Sequence, residues 1–180
     1  MTGLAERLIE DWLIKADERS YQLSLASCLS RDGHVIEYLS PHSTLEHGKD
    51  IVTRRGSELY AYQLKAGGID ARKWRDIEGE VREASRLPFR YPDNNTRRVD
   101  RAYLVLSGYL TDAVRDKVAL MNADLKLSGH ATVDVVELPG LVAMFRSAFE
   151  TLFPNAVLAL RDFLALYISC LLYTSPSPRD

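Results

Sequence analysis

Asp50, Gln63 and Lys65 are the residues of this chain whose types and spacing could do chemistry, and they lie within one stretch, Glu46 to Gly67. Ile51-Val52-Thr53 and Leu59-Tyr60-Ala61-Tyr62 are rich in β-branched and aromatic residues, and Arg54-Arg55-Gly56-Ser57 between them suits a hairpin turn. Side chains alternate across a strand, so Leu59, Ala61, Gln63 and Lys65 share one face while Tyr60, Tyr62 and Leu64 share the other. A long amide and an ammonium ending an otherwise apolar strand are costly to bury without partners. Asp50 opens the neighbouring strand within reach of both. The plainest reading is a polar hairpin end in which Asp50 and Lys65 form an ordinary ion pair, an interaction that contributes little when exposed.

Asp50 followed by Gln63-x-Lys65 resembles the PD-(D/E)xK nuclease superfamily, in the variant where glutamine replaces the second acidic residue, and most of all its Mrr-like restriction endonuclease branch. The resemblance implies an α/β fold with a restriction-endonuclease-like αβββαβ core, a central mixed sheet flanked by helices. It implies that Asp50 and Gln63 hold a divalent metal and that Lys65 positions or activates the attacking water. Mg²⁺, for which Mn²⁺ could substitute, suits such a set because it takes hard oxygen ligands, few of them from protein. A cation beside the scissile phosphate can stabilise the charge developing on its oxygens. Glu46 is a further candidate ligand, with a solvated loop carboxylate as the alternative, and His47, Lys49, Arg72 and Lys73 are candidate phosphate contacts. The sequence departs from the pattern at Gly48-Lys49, where a proline is usual before the aspartate, and an amide binds metal more weakly than a carboxylate. The expected function is a metal-dependent nuclease hydrolysing DNA phosphodiester bonds in restriction or phage defence, acting as a homodimer. The alternative is a nucleic-acid-binding or assembly module of the same fold that has lost cleavage.

Composition bounds these readings. With 180 residues and 46% hydrophobic content the chain can bury one ordinary core. A net charge of -2 excludes the bulk basicity of a dedicated nucleic-acid binder, although basic residues crowd the stretch from Arg54 to Arg101. Interspersed acids such as Asp76, Glu78, Glu80 and Glu83 also fit a solvated helix face there. Cys28 and Cys170 are too few and too distant for a disulfide framework or a zinc site, and Cys28 reads as a core residue. His42 and His47 lie near Asp50, yet phosphodiesterase chemistry favours oxygen ligands over a transition-metal set. No apolar leader or membrane segment is legible, which makes the cytoplasm the default.

The elements that must position the motif follow from hydrophobic period. An N-terminal helix is expected over residues 1–16, then a domain over 17–152 that opens with a second helix capped by Asp17. Glu18, in that helix's first turn, is the one nearby candidate for the acidic residue that superfamily members place there, although the helix dipole alone explains it. His34 to Leu39 is a strand, Asp70 to Arg86 an amphipathic helix, Leu87 to Arg98 a polar loop and Ala102 to Leu106 a buried strand. A helix capped by Thr111 runs to Leu125, Val133 to Leu138 is a strand, and a helix follows from Leu141 to Leu152. Strand, helix, strand successions of this kind pair in parallel. Residues 153–169 read as a cut-off helix, and Cys170 to Asp180 resembles translated sequencing adapter, so a C-terminal domain missing from this chain is expected.

Overall fold

The computed structural model describes residues 4–40, 48–90 and 95–152. The chain divides into two units, Met1–Arg146 and Ser147–Asp180, and the first carries the motif. Its elements are α1 (Leu4–Lys15), α2 (Glu18–Arg31), β1 (Val35–Leu39), β2 (Ile51–Arg55), β3 (Glu58–Lys65), α3 (Ala71–Arg86), β4 (Phe89–Arg90), β5 (Thr96–Arg97), β6 (Arg101–Leu106), α4 (Asp112–Leu127) and β7 (Val133–Val136). A last helix, α5, spans Leu138–Leu152. Among the described residues no helix is long and apolar enough to cross a membrane.

Five strands form one mixed sheet in the order β1-β2-β3-β6-β7. β1, β2 and β3 are antiparallel neighbours, whereas β3 and β6, and β6 and β7, pair in parallel. The α3 and α4 crossovers supply the covering layer that parallel pairing requires. The succession α2, β1, β2, β3, α3, β6 is the expected αβββαβ core, a central mixed sheet flanked by helices.

Local chemistry explains most element boundaries. The Asp17 side chain accepts a hydrogen bond from Ser20 N at 2.7 Å and starts α2, and Asp70 does the same for α3 through Arg72 N and Lys73 N. Thr111 occupies the cap position of α4 without a side-chain cap bond; Val114 N and Arg115 N donate to its carbonyl instead. α5 begins at Leu138 rather than Leu141, because Pro139 falls in the first turn, where a missing N–H is no loss. The stretch expected as a plain loop after α3 contains the β4–β5 hairpin, in which Phe89 pairs with Arg97 and packs its ring 5.8 Å from Tyr38. Two-residue strands leave no readable alternation, so sequence pattern could not show them.

One face of the sheet holds the main apolar cluster. Leu59, Ala61, Ala102, Leu104 and Leu106 pack there against Trp74 and Val81 of α3 and Val114, Val118, Met121 and Leu125 of α4. Complete burial contributes roughly 1.5–3 kcal/mol for each large side chain of this kind. The opposite face carries α2 and the stacked rings of Tyr62 and Tyr103, with centroids 5.0 Å apart. Cys28 is buried in α2, as expected of a core residue. Where β3 and β6 leave the sheet, the two exits touch: a Cβ on Gly108 would meet the carbonyl carbon of Gly67 and the nitrogen of Gly68, each at 2.4 Å.

Candidate active site

The site is built where β2 begins and β3 ends. Asp50 N donates to Tyr62 O at 2.9 Å, and the pairing of Ile51 with Tyr62 continues so that Asp50 stands beside Gln63. Asp50 Oδ2 accepts a hydrogen bond from Leu64 N at 2.6 Å. That amide lies between Gln63 and Lys65, so the carboxylate is attached to the motif strand itself. Asp50 is 4% exposed, and its carbonyl accepts from Ser40 N and from Gln22 Nε2, both at 2.8 Å. Gln22, on α2, also donates to Ser40 O at 3.3 Å and thereby ties the end of β1 to the start of β2.

Gln63 is 4% exposed, and its Oε1 has no hydrogen-bond partner. Leaving a buried acceptor unsatisfied costs roughly 1–3 kcal/mol. Among the described residues one other buried side-chain polar atom shares this condition, Trp74 Nε1, which is a donor enclosed in the apolar cluster. An orphaned hard oxygen beside a buried carboxylate is a donor set that a Mg²⁺-like cation fits. The fit is limited to Asp50 and Gln63, because among the described residues no group of three or more His, Cys, Asp or Glu side chains is placed to hold a metal.

Lys65 Nζ lies 2.8 Å from Glu80 Oε2 on α3 and 3.9 Å from Glu18 Oε2 on α2. Burial pulls the ammonium's pKa down, but the hydrogen bond to Glu80 and the carboxylates of Glu18, Glu80 and Asp50 outweigh it, and the pKa is raised. Glu18 Oε1 accepts from Ala66 N at 3.3 Å, just past the lysine, so Glu18 does reach the motif. Tyr21 closes the α2 side: its hydroxyl donates to Lys65 O at 3.1 Å, and burial, with Glu18 and Asp50 nearby, pushes the phenol far above its usual range.

The remaining candidates are dispersed. Glu46 and His47, with His42, lie outside the described residues. Lys49 is 2% exposed and donates to Glu83 O at 3.3 Å, so it faces α3; burial, opposed by Glu83, lowers its pKa to about 8. Arg72 and Lys73 are exposed on the first turn of α3, and Lys73 Nζ donates to Gly68 O at 3.0 Å. Several of the crowded arginines are internally compensated, Arg54 by Glu37, Arg82 by Glu78, Arg97 by Asp100 and Arg101 by Glu58. Sequence reasoning missed Gln22, Tyr21 and Glu80 as parts of the site. The available signal for Gln22 was a glutamine three and seven residues before Leu25 and Leu29, on a stripe that is otherwise buried.

No family model matches the chain, and no curated protein matches its sequence. Among solved structures the chain is similar to the MspJI restriction endonuclease in complex with a 27-mer oligonucleotide, with a TM-score of 0.49 and 16% identity. The alignment covers 80% of this chain and 32% of that one, so the chain spans about a third of its neighbour's length.

Proposed function

We propose that this chain is a divalent-metal-dependent nuclease that hydrolyses DNA phosphodiester bonds within a restriction or defence system. The observation that carries the reading is Gln63 Oε1, a buried oxygen without a partner, set beside the Asp50 carboxylate and two residues from Lys65. DNA as substrate, the Mrr-like affinity of the Gln-x-Lys motif and action as a homodimer rest on the sequence resemblance.

Asp50 and Gln63 would hold Mg²⁺, or Mn²⁺ in its place. When bound, the cation supplies Lewis acidity at the scissile phosphate and a more acidic water. The protein's own residues do the rest. Leu64 N fixes one carboxylate oxygen of Asp50 and so orients the carboxylate against the motif strand. Lys65 presents an ammonium at the same strand end, where it can donate to a phosphate oxygen or orient the attacking water. Gln22 and Tyr21 hold the main chain at Asp50 and Lys65, which keeps the groups in fixed relation.

The test is cleavage of plasmid DNA by the purified chain with Mg²⁺ or Mn²⁺ against a chelator, run beside Lys65→Ala. Metal-dependent cutting that falls by about 10²-fold or more in the variant supports the reading. Cutting that persists in chelator, or that survives Lys65→Ala unchanged, overturns it. Calorimetric Mg²⁺ titration separates the nuclease from a binding module, which need not take up metal through Asp50.

A further inference from the structure

Gln63 and Lys65 point to the side of the sheet covered by α3, and this helix reaches the site at one turn, residues 80–84. Two contacts dock that turn on the segment leading into Asp50. Gly48 has φ +67, and a Cβ there would stand 2.0 Å from Glu80 O and 3.1 Å from Ala84 N, so the main chain before Asp50 lies directly on the helix backbone. Lys49, the next residue, donates to Glu83 O at 3.3 Å. Glu80 is thus carried on a rigid element whose position is set by the same segment that sets Asp50.

From there its carboxylate meets Lys65 Nζ at 2.8 Å, while Glu18, the other nearby acid, stands 3.9 Å away and is engaged with Ala66 N. Half of the Glu80 side chain is exposed, and a pair open to solvent on one side adds little to stability. Its effect is geometric. A lysine side chain has a flexible four-carbon stem, and a free one would sample many positions of its ammonium.

We propose that Glu80 is a positioning residue that holds the Lys65 ammonium at the edge of the Asp50–Gln63 pair, ready for the phosphate; this assignment rests on the nuclease reading above. Glu80 acts through Lys65 and does not itself touch the metal or the reacting atoms. Sequence spacing does not show it, because the contact spans the crossover from β3 into α3.

The experiment compares the full chain with Glu80→Ala and Glu80→Gln, the second of which keeps an acceptor at the same reach. Three readouts are needed: nitrogen relaxation of the Lys65 ammonium, Mg²⁺ affinity by calorimetry, and kcat and KM for plasmid cleavage. Glu80→Ala is expected to mobilise the ammonium and lower kcat about tenfold with KM and Mg²⁺ affinity unchanged, and Glu80→Gln to restore part of both. An ammonium as ordered in Glu80→Ala as in the parent overturns the proposal, and so does an unchanged kcat. Loss of Mg²⁺ binding in Glu80→Ala also overturns it, because Glu80 would then be a ligand. If the parent chain cuts no DNA, the nuclease reading fails while the relaxation measurement still decides whether Glu80 orders Lys65.

Discussion

Asp50 Oδ2 and the main-chain nitrogen of Leu64 are 2.6 Å apart, so the carboxylate proposed to bind metal also satisfies a buried amide of the motif strand. The two roles can be separated by substitution. Asp50→Asn keeps an oxygen for Leu64 N and is expected to fold with near-parent stability while losing Mg²⁺ uptake and cleavage. Asp50→Ala leaves that amide without a partner and is expected to lose roughly 1–3 kcal/mol as well. Urea denaturation of the two variants checks this, and equal stability would show that the hydrogen bond is dispensable.

Gln63 gives an opposite prediction. Its Oε1 is buried and unsatisfied, so Gln63→Leu removes a desolvated acceptor and is expected to raise stability without metal by about 1 kcal/mol. The same change should abolish the rise in Tm expected of the parent at saturating Mg²⁺. A Tm response to Mg²⁺ that persists in Gln63→Leu would remove Gln63 from the ligand set.

Gly48→Ala tests the docking of the Asp50 segment on α3. The added methyl would collide with Glu80 O, and the residue would keep a left-handed φ of +67. Overpacking and the left-handed conformation together are expected to cost roughly 2–4 kcal/mol. Gly56→Ala is the control: its φ is +59, but no atom lies within 4 Å of the new Cβ, so about 1–2 kcal/mol is expected. Similar losses at both positions would mean that the contact with α3 contributes nothing.

A pH effect is expected from His34, which is 8% exposed with Nδ1 2.8 Å from Thr53 Oγ1. Burial, aided by Arg55 and opposed by Asp32, holds its pKa below the ordinary 6.5. The unfolded chain therefore binds a proton near pH 6.5 before the folded chain does, and stability falls as pH drops from 6.5 towards the folded value. His34→Gln should flatten the stability profile in this window. A parent profile that is already flat there would refute the assignment.

The sequence made the local parts of this architecture readable. The two-residue period of β3 placed Gln63 and Lys65 together, Asp17 and Asp70 marked helix starts, and the amphipathic pattern from Asp70 to Arg86 identified α3. What stayed hidden depends on how distant segments meet. Glu80 is an ordinary helix acid until the crossover brings it to Lys65. Lys49 looks like a basic loop residue, yet the left-handed turn at Gly48 directs its side chain towards the backbone of α3. Gln22 gains its role only when α2 crosses the point where β1 ends and β2 begins.

The contact between Gly108 and the Gly67-Gly68 exit acts as a mechanical stop for the motif strand. Sliding β3 along β6 by one residue would turn Gln63 and Lys65 to the face of the tyrosine stack and return Leu64 to the site. Hydrogen bonding alone does not forbid such a slip, because a parallel ladder repeats evenly along its length. The close approach of the two exits at Gly108, where even a single Cβ would not fit, resists it. Enlarging Gly108 should therefore derail the alignment of Gln63 and Lys65 from across the sheet, without any substitution in the motif itself.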